Sequence, residues 1–187
     1  MDKRIIDICK KQDIDAAILL AFISVETGGI GFDRATGKLL IQFEPSWFRK
    51  LVPYAPSGKW SVNKVDVQTK EWEAFNNAFS INPNAAMEST SIGLGQIMGL
   101  HYKRLGYSNV GDMWDDAKRG IEQQVWQIVK FIKSDGRLER ALRRKDWATV
   151  ARIYNGSGYL QIAKKYGRIP YDKAMEQEYN KFKNSLT

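Results

Sequence analysis

The chain has 187 residues, of which 43% are hydrophobic and 27% charged, and its net charge is +8. This length fits one well-packed domain, and no long polar tract indicates disorder. One histidine, His101, and one cysteine, Cys9, are too few for a zinc site or an internal disulfide, and no nucleophile elbow accompanies them. We therefore expect no metal or other cofactor, and carboxylates remain for acid–base catalysis.

The first predicted element is an apolar helix whose hydrophobic residues recur at helical spacing from Ile14 to Val25. Asp13 is predicted as its N-cap, because a carboxylate there accepts from the first free amides. Gly28 and Gly29 are predicted to end it.

A small β-lobe is predicted to follow this helix. Residues 34–37 have the composition of a turn, and residues 39–43 form a short β-prone run. Pro45 is typical of a helix start, so a short helix is predicted to extend to Leu51. The spacing of the aromatic residues at 72, 75 and 79 predicts another helix, and residues 82–90 are predicted to form a polar loop.

The remainder is repeatedly amphipathic. Predicted helices fall at residues 121–132, 138–145, 147–154 and 171–182. Gly136 is predicted to end the first of these, and Asp146 to cap the third. Together these elements predict a mainly α fold of the α+β kind, in which a helical domain and a small β-hairpin lobe form a cleft.

The positive charge favours polyanionic partners. Its densest cluster consists of Arg137, Arg140, Arg143, Arg144 and Lys145. This cluster predicts adhesion to an anionic cell envelope, although a solvated helix face would look the same. No signal peptide is recognisable, and the apolar run at residues 16–25 is too short to cross a bilayer. We therefore expect synthesis in the cytoplasm without stable membrane insertion.

Three segments do not fit simple helix packing. Residues 24–29, SVETGG, place Glu26 at the negative end of an apolar helix, where the helix dipole and desolvation both favour a protonated carboxyl. Residues 91–99, SIGLGQIMG, combine flexible glycines with Gln96, a suitable partner for an amide ligand. Residues 154–159, YNGSGY, offer aromatic faces beside an amide, which suits a sugar ring. Each segment alone could be an ordinary helix end or turn.

In this order, VETGG, GLGQIMG and YNGSGY resemble the lysozyme-like superfamily, and more closely the N-acetylmuramidase family of phage endolysins. The segment LLIQFEPSWF is also similar to that family, as is the stretch that leads into YNG, so the resemblance extends from about Asp13 to Tyr179. Ile92 and Gly95 depart from the pattern, because bulkier aromatic residues are expected there.

The resemblance implies a catalytic domain that cleaves the β-1,4 bond between N-acetylmuramic acid and N-acetylglucosamine. Members of the family often carry a separate cell-wall-binding domain, but here we expect a single lysozyme-like domain over residues 1–187 without one, because the catalytic helix begins near residue 13 and the last helix lies near the end of the sequence. The resemblance also implies Glu26 as the general acid. Glu44 is our candidate for the second carboxylate that glycoside hydrolysis normally needs, with Glu88 and Asp33 as rivals. Expected substrate contacts are Ser91, Gln96, Met98, Tyr154, Asn155 and Tyr159.

Several alternatives stay open at this point. Glu44 could instead cap the following helix or position a ligand. A lytic transglycosylase would need only one glutamate and would release 1,6-anhydro products. A non-catalytic module could bind peptidoglycan without cutting it. A nucleic-acid-binding protein has only the charge in its favour, because no known motif accompanies it, so no nucleic-acid partner is expected.

The predicted setting is that of a monomer acting on peptidoglycan glycan strands. The resemblance implies an endolysin made in the host cytoplasm and released by a separate membrane-permeabilising protein. A secretion-system effector or a cell-remodelling enzyme is the second interpretation.

Overall fold

The computed structural model describes residues 3–62 and 67–186, which form eleven α-helices and one small antiparallel sheet. The helices are α1 (Lys3–Gln12), α2 (Ala16–Thr27), α3 (Pro45–Leu51), α4 (Gln68–Ile81), α5 (Pro83–Glu88), α6 (Val110–Lys118), α7 (Ile121–Lys133), α8 (Gly136–Arg144), α9 (Trp147–Tyr154), α10 (Tyr159–Tyr166) and α11 (Tyr171–Leu186). The strands are β1 (Ile41–Phe43), β2 (Thr90–Ile92) and β3 (Ile97–Met98). The predicted fold class, mainly helical with a small β element, is confirmed. Within the described ranges, no helix has the length and apolarity needed to cross a membrane.

The chain forms two compact units. The first, here called the helical unit, comprises Met1–Gly29 and Val129–Thr187. The second, here called the sheet unit, comprises Ile30–Ile128.

Helix α2 is the central element of the helical unit. Every residue from 17 to 23 is buried, so this helix is apolar on all sides. It packs against α11, which also packs against α9. Met175 of α11 and Val150 of α9 are fully buried. A buried, desolvated helix thus leads directly to Glu26.

The start of α2 differs from the prediction. Asp15, and not Asp13, is the N-cap, and its carboxylate accepts from the amide of Ala17 at 2.9 Å. Asp13 lies two residues earlier with a left-handed backbone, φ +52°, and pairs with Arg143 at 2.7 Å. Both aspartates suit a cap by residue type, so composition alone could not choose between them.

The sheet unit is built around strands that run in the order β1-β2-β3. Ile41 pairs with Ile92, which pairs with Ile97, and all three are buried on one face. The predicted turn at 34–37 is present, and an isolated bridge between Phe32 and Leu39 closes it.

The outer edge of β1 is closed by side chains of α4. The amide of Gln68 accepts from the Ile41 nitrogen at 3.0 Å and donates to its carbonyl at 2.7 Å. The buried carboxylate of Glu71 accepts from the amide of Phe43 at 2.9 Å. Buried backbone groups need such partners, so α4 does for this edge what another strand would do.

Two predictions about helix bounds were wrong. Residues 83–88 of the predicted loop form α5, with Pro83 in its first turn and Asn82 as an N-cap that accepts from Ala85 at 3.0 Å. Gly136 does not end α7 but begins α8, where Asp135 is the cap. Helix α3 has the predicted bounds, and Asp146 caps α9 as predicted.

Candidate active site

Glu26 lies in the last turn of α2, as the sequence predicts. Gly28 ends the helix in a left-handed conformation, φ +61°, and its amide donates to the carbonyl of Ser24 at 2.8 Å. The Glu26 side chain is partly buried, and burial raises its pKa from 4.5 to about 7. A carboxyl with this pKa is largely protonated at mildly acidic pH and can donate its proton near neutrality.

The main polar partner of Glu26 is Tyr171, the first residue of α11. The Tyr171 hydroxyl donates a hydrogen bond to Glu26 Oε1, and this bond lowers the pKa of Glu26 against the larger effect of burial. Tyr171 is buried, and burial together with the nearby Glu26 carboxylate raises the pKa of its phenol well above the ordinary value. The phenol therefore stays protonated and remains a donor.

Helix α11 also contacts Ser24, which precedes Glu26 in the last turn of α2. The hydroxyl of Ser24 donates to Glu178 Oε2 at 2.7 Å. That carboxylate also pairs with Lys181 at 3.2 Å, and the hydrogen bond from Ser24 is the main cause that lowers its pKa. At mildly acidic pH, Glu178 is therefore ionised while Glu26 is still protonated, although both residues belong to the packed pair of helices α2 and α11.

The YNGSGY segment contributes mainly to packing around this pair. The Tyr154 ring lies 4.4 Å from Phe22 edge-on and 6.3 Å from Tyr171 in a stacked arrangement. Asn155 is the exposed C-cap of α9. Tyr159 is only 5% exposed, and this burial disfavours the predicted contact between its ring and a sugar.

The second predicted carboxyl, Glu44, belongs to the sheet unit, between β1 and α3. It occupies the N-cap position of α3 but makes no side-chain capping bond. Its Oε1 accepts instead from Gln42 Nε2 at 3.0 Å. Burial and then the negative charge of Glu71 raise the pKa of Glu44, and the hydrogen bond from Gln42 lowers it. A raised pKa makes this carboxylate a stronger base.

The solvent-accessible face of the sheet carries a row of side chains beside Glu44. Gln42 of β1 pairs in register with Ser91 of β2, which pairs with Met98 of β3. Gln42 is exposed, and Ser91 and Met98 are partly exposed. The predicted substrate contacts Ser91 and Met98 are therefore neighbours on this face. Gln42 lies beside Ser91 and hydrogen-bonds the Glu44 carboxylate, so it connects these residues to Glu44.

Gln96 lies in the tight turn between β2 and β3, with an unusual left-handed backbone, φ +44°. Its side-chain Nε2 donates to the carbonyl of Gly93 at 2.9 Å, so part of the amide stabilises the turn itself. The buried side chain of Gln124 connects this turn to α6. Its Oε1 accepts from the backbone amide of Leu94 at 2.9 Å, and its Nε2 donates to the carbonyl of Ala117 at 3.0 Å. A Cβ on Gly93 would meet Gln124 Oε1 at 2.8 Å.

The same packing explains the two departures from the family pattern. Ile92 is 2% exposed and completes the isoleucine face of the sheet. A Cβ on Gly95 would lie 2.6 Å from Ile128 Cγ1, so a larger residue does not fit at this position without a shift of Ile128.

The two rival carboxylates have other surroundings. Asp33 accepts from both the amide and the hydroxyl of Thr36, at 2.8 and 2.7 Å, which lowers its pKa. It therefore stabilises a turn, as is common for aspartate. Glu88 is the partly buried last residue of α5.

The predicted basic cluster lies on α8 and its C-cap, and its five cations are exposed. Two of them are paired: Arg143 with Asp13 and Glu139, and Arg137 with Asp135. Among the described residues, no three His, Cys, Asp or Glu side chains are grouped as metal ligands.

Comparison with known proteins places the chain in a class. The N-acetylmuramidase family model matches residues 15–183. The chain therefore belongs to the N-acetylmuramidase family, and with it to the peptidoglycan-cleaving glycosidases. Among solved structures, the endolysin of the Burkholderia phage AP3 matches with 28% identity and a TM-score of 0.80, over 98% of this chain and 70% of that chain. No curated protein matches the chain.

Proposed function

We propose that this protein hydrolyses the β-1,4 bond between N-acetylmuramic acid and N-acetylglucosamine in peptidoglycan, with Glu26 as the general acid. The observation that carries the proposal is the environment of Glu26. A buried helix end raises its pKa to about 7, and Tyr171 hydrogen-bonds one of its oxygens. Family membership supplies the substrate class.

The first step follows from this arrangement. The protonated oxygen of Glu26 donates its proton to the glycosidic oxygen as the bond from the sugar C1 to that oxygen breaks. Negative charge then develops on the Glu26 carboxylate. The hydrogen bond from Tyr171 strengthens as that charge appears, because bonds to ionised acceptors are stronger than neutral ones. Such an interaction favours the transition state over the ground state.

We propose Glu44 as the second carboxylate. It would act as a base on water or as a nucleophile on C1, and its raised pKa suits either role. Ser91, Gln96, Met98, Tyr154 and Asn155 are proposed to contact the glycan, and we add Gln42 because it lies in register with Ser91 and Met98.

The biological role that we propose is that of an endolysin, because a phage endolysin shares the fold over nearly the whole chain. In that role the protein acts as a monomer on glycan strands after release by a separate membrane-permeabilising protein. Its basic α8 cluster would attract it to the anionic envelope, and this attraction would weaken as salt screens the charges.

The decisive experiment is Glu26→Gln, assayed by clearing of purified peptidoglycan. We expect the rate to fall at least about a hundredfold, because glutamine cannot donate a proton to the leaving oxygen. Glu176→Gln is the matched control and should retain activity, because Glu176 is a partly exposed glutamate of α11 paired with Lys173. If Glu26→Gln clears peptidoglycan at the normal rate, Glu26 is not the acid.

Mass spectrometry of the released fragments tests the reaction itself. Reducing N-acetylmuramic acid ends would support the proposed hydrolysis, and reducing N-acetylglucosamine ends would indicate a glucosaminidase. Anhydro ends would indicate a transglycosylase and remove the need for Glu44. Binding without any soluble fragments would indicate a non-catalytic module.

A further inference from the structure

Four aromatic rings of the sheet unit form a cluster that reaches the surface. Phe75 of α4 and Trp114 of α6 stack with centroids 4.8 Å apart and are buried. Trp72 stands edge-on to both, at 5.4 and 6.3 Å, and Phe79 lies 5.6 Å from Phe75. Phe79 is 40% exposed, so the cluster has an apolar side that the described chain does not cover.

The two indole groups of this cluster are fixed by the backbone. Trp72 Nε1 donates to the carbonyl of Leu39, and Trp114 Nε1 donates to that of Met87, both at 3.3 Å. The polar atoms of the indoles are therefore occupied. Because Trp114 is buried, the aromatic carbon that a ligand can reach belongs to Phe79 and to the partly exposed Trp72. Rings held in place lose little conformational entropy when a ligand binds.

A cavity of about 400 Å³ opens over these rings. It is lined by the four aromatic side chains together with Asn76, Met87, Gly111, Asp115 and Lys118. A second cavity of about 470 Å³ shares Trp72 and Asn76 with the first, so the two are adjacent. Its other lining residues are polar or charged: Thr36, Gln68, Thr69, Glu73, Lys38 and Lys70.

The surface formed by both cavities, here called the α4 surface, has the composition of a carbohydrate site. Aromatic carbon suits the apolar C–H face of a pyranose ring, and the exposed amide of Asn76 suits a hydroxyl or acetamido group. Lys38 is exposed on the polar side, with its ammonium 5.3 Å from the centroid of the Trp72 ring, and there it can meet a carboxylate of peptidoglycan. Lys70 is exposed as well, but it is paired with Glu73 at 2.9 Å. Glu44, Gln42 and Ser91 line neither cavity.

We propose that the α4 surface binds a peptidoglycan glycan strand at a place other than the site of cleavage. A sugar ring would lie against Phe79 and Trp72, its substituents would reach Asn76, and a carboxylate would meet Lys38. This inference rests on the proposed function for its choice of ligand. Such a site would hold the protein on an insoluble substrate between cleavage events.

The test measures binding to purified sacculi in the Glu26→Gln background, so that the ligand is not degraded. Phe79→Ser should weaken binding about tenfold, because it removes the exposed ring. Tyr166→Ser is the matched control, since Tyr166 is an aromatic residue of α10 that is 59% exposed and lies outside both cavities. Equal binding by the Phe79→Ser and Tyr166→Ser proteins would overturn the proposal.

Further arms of this experiment identify the contacts. Phe79→Ser should also weaken binding of chitohexaose, which offers only sugar rings and acetamido groups; an unchanged affinity would refute the ring contact. Lys38→Ala should weaken binding to sacculi several-fold. Loss of that effect on glycan strands whose stem peptides have been removed assigns the contact in sacculi to a carboxylate of the stem peptide. Persistence of the effect shows that Lys38 also binds the lactyl carboxylate that removal of the peptide exposes. No effect on either substrate would refute the carboxylate contact.

Two controls keep the outcome decisive. If Phe79→Ser is unfolded by circular dichroism, Phe79→Leu replaces it, because leucine preserves the packing but removes the flat ring. If Glu26→Gln still cleaves the sacculi, the proposed function fails on its own evidence. Chitohexaose binding then still tests the α4 surface.

Discussion

Glu26 and Glu44 are both carboxyls with raised pKa values, but the two units produce them in different ways. Glu26 terminates a helix that is buried on all sides, and its principal polar partner is a neutral phenol. Glu44 follows a three-residue strand, and its neighbours are a carboxamide and a second carboxylate. Burial dominates in both cases, but only Glu44 is also raised by a like charge. An apolar site with a neutral donor suits an acid, whereas a site with a nearby anion favours a strong base.

The largest expected effect in this comparison belongs to Glu44→Gln. If Glu44 supplies the second carboxylate, the rate of peptidoglycan clearing should fall by about a hundredfold or more, because glutamine neither attacks carbon nor activates water. Glu122→Gln is the control, since Glu122 is an exposed residue of α7 that lines neither cavity of the α4 surface. A loss smaller than about tenfold would reduce Glu44 to a role in binding.

An intermediate effect is expected for Tyr171→Phe. The hydrogen bond from Tyr171 lowers the pKa of Glu26, so its removal should move the alkaline limb of the pH–activity profile to higher pH. The maximal rate should fall about tenfold, because the developing carboxylate loses a charge-assisted bond. Tyr179→Phe removes a hydroxyl from the same helix and should leave the profile unchanged. A Tyr171→Phe profile that overlays the wild type would refute this account of the acid.

The smallest expected effect concerns stability. The pKa of Glu26 is about 7 in the folded chain against 4.5 as its ordinary value, so between these pH values the folded state binds a proton that the unfolded state has released. The corresponding stability is present below about pH 4.5 and is lost as the pH rises through about 7. Glu26→Gln should therefore be more stable than the wild type at about pH 8, by on the order of 1–3 kcal/mol.

The measurement is urea unfolding of both proteins at about pH 8 and pH 4, where the difference should be large and then small. Glu176→Gln, a change at a partly exposed residue of α11, should match the wild type at both pH values. If Glu26→Gln were more stable than the wild type at about pH 4 but not at about pH 8, the raised pKa of Glu26 would be contradicted.

Local patterns in the sequence predicted most of the helices and the placement of Glu26. Pro45 predicted the start of α3. The apolar spacing from Ile14 to Val25 predicted α2, although not its N-cap. The signal for α5 was also present in Asn82 and Pro83, an N-cap followed by a residue suited to the first turn. The alternation in β1 could likewise have indicated that Gln42 faces away from the core.

The rest depended on contacts between distant parts of the chain. Tyr171 is 145 residues from Glu26, and no local pattern connects an isolated tyrosine at a helix start with a glutamate at a helix end. Tyr159 looked like a ligand contact because it belongs to a glycine-rich segment, but its burial is decided by tertiary packing. Glu71 is a buried acid on a helix, and its use as an acceptor for β1 becomes visible only when the fold is known.

The closed edge of β1 explains why a sheet of three short strands is sufficient in this protein. An exposed strand edge can recruit a strand from another chain, which is a common route to aggregation. Here the Gln68 carboxamide imitates a peptide group, with one donor and one acceptor facing Ile41, and Glu71 takes the next amide. Two side chains on one helix thus make three short strands self-sufficient on this side. Replacing Gln68 would therefore leave the edge of β1 at Ile41 open to pairing with a strand from another chain.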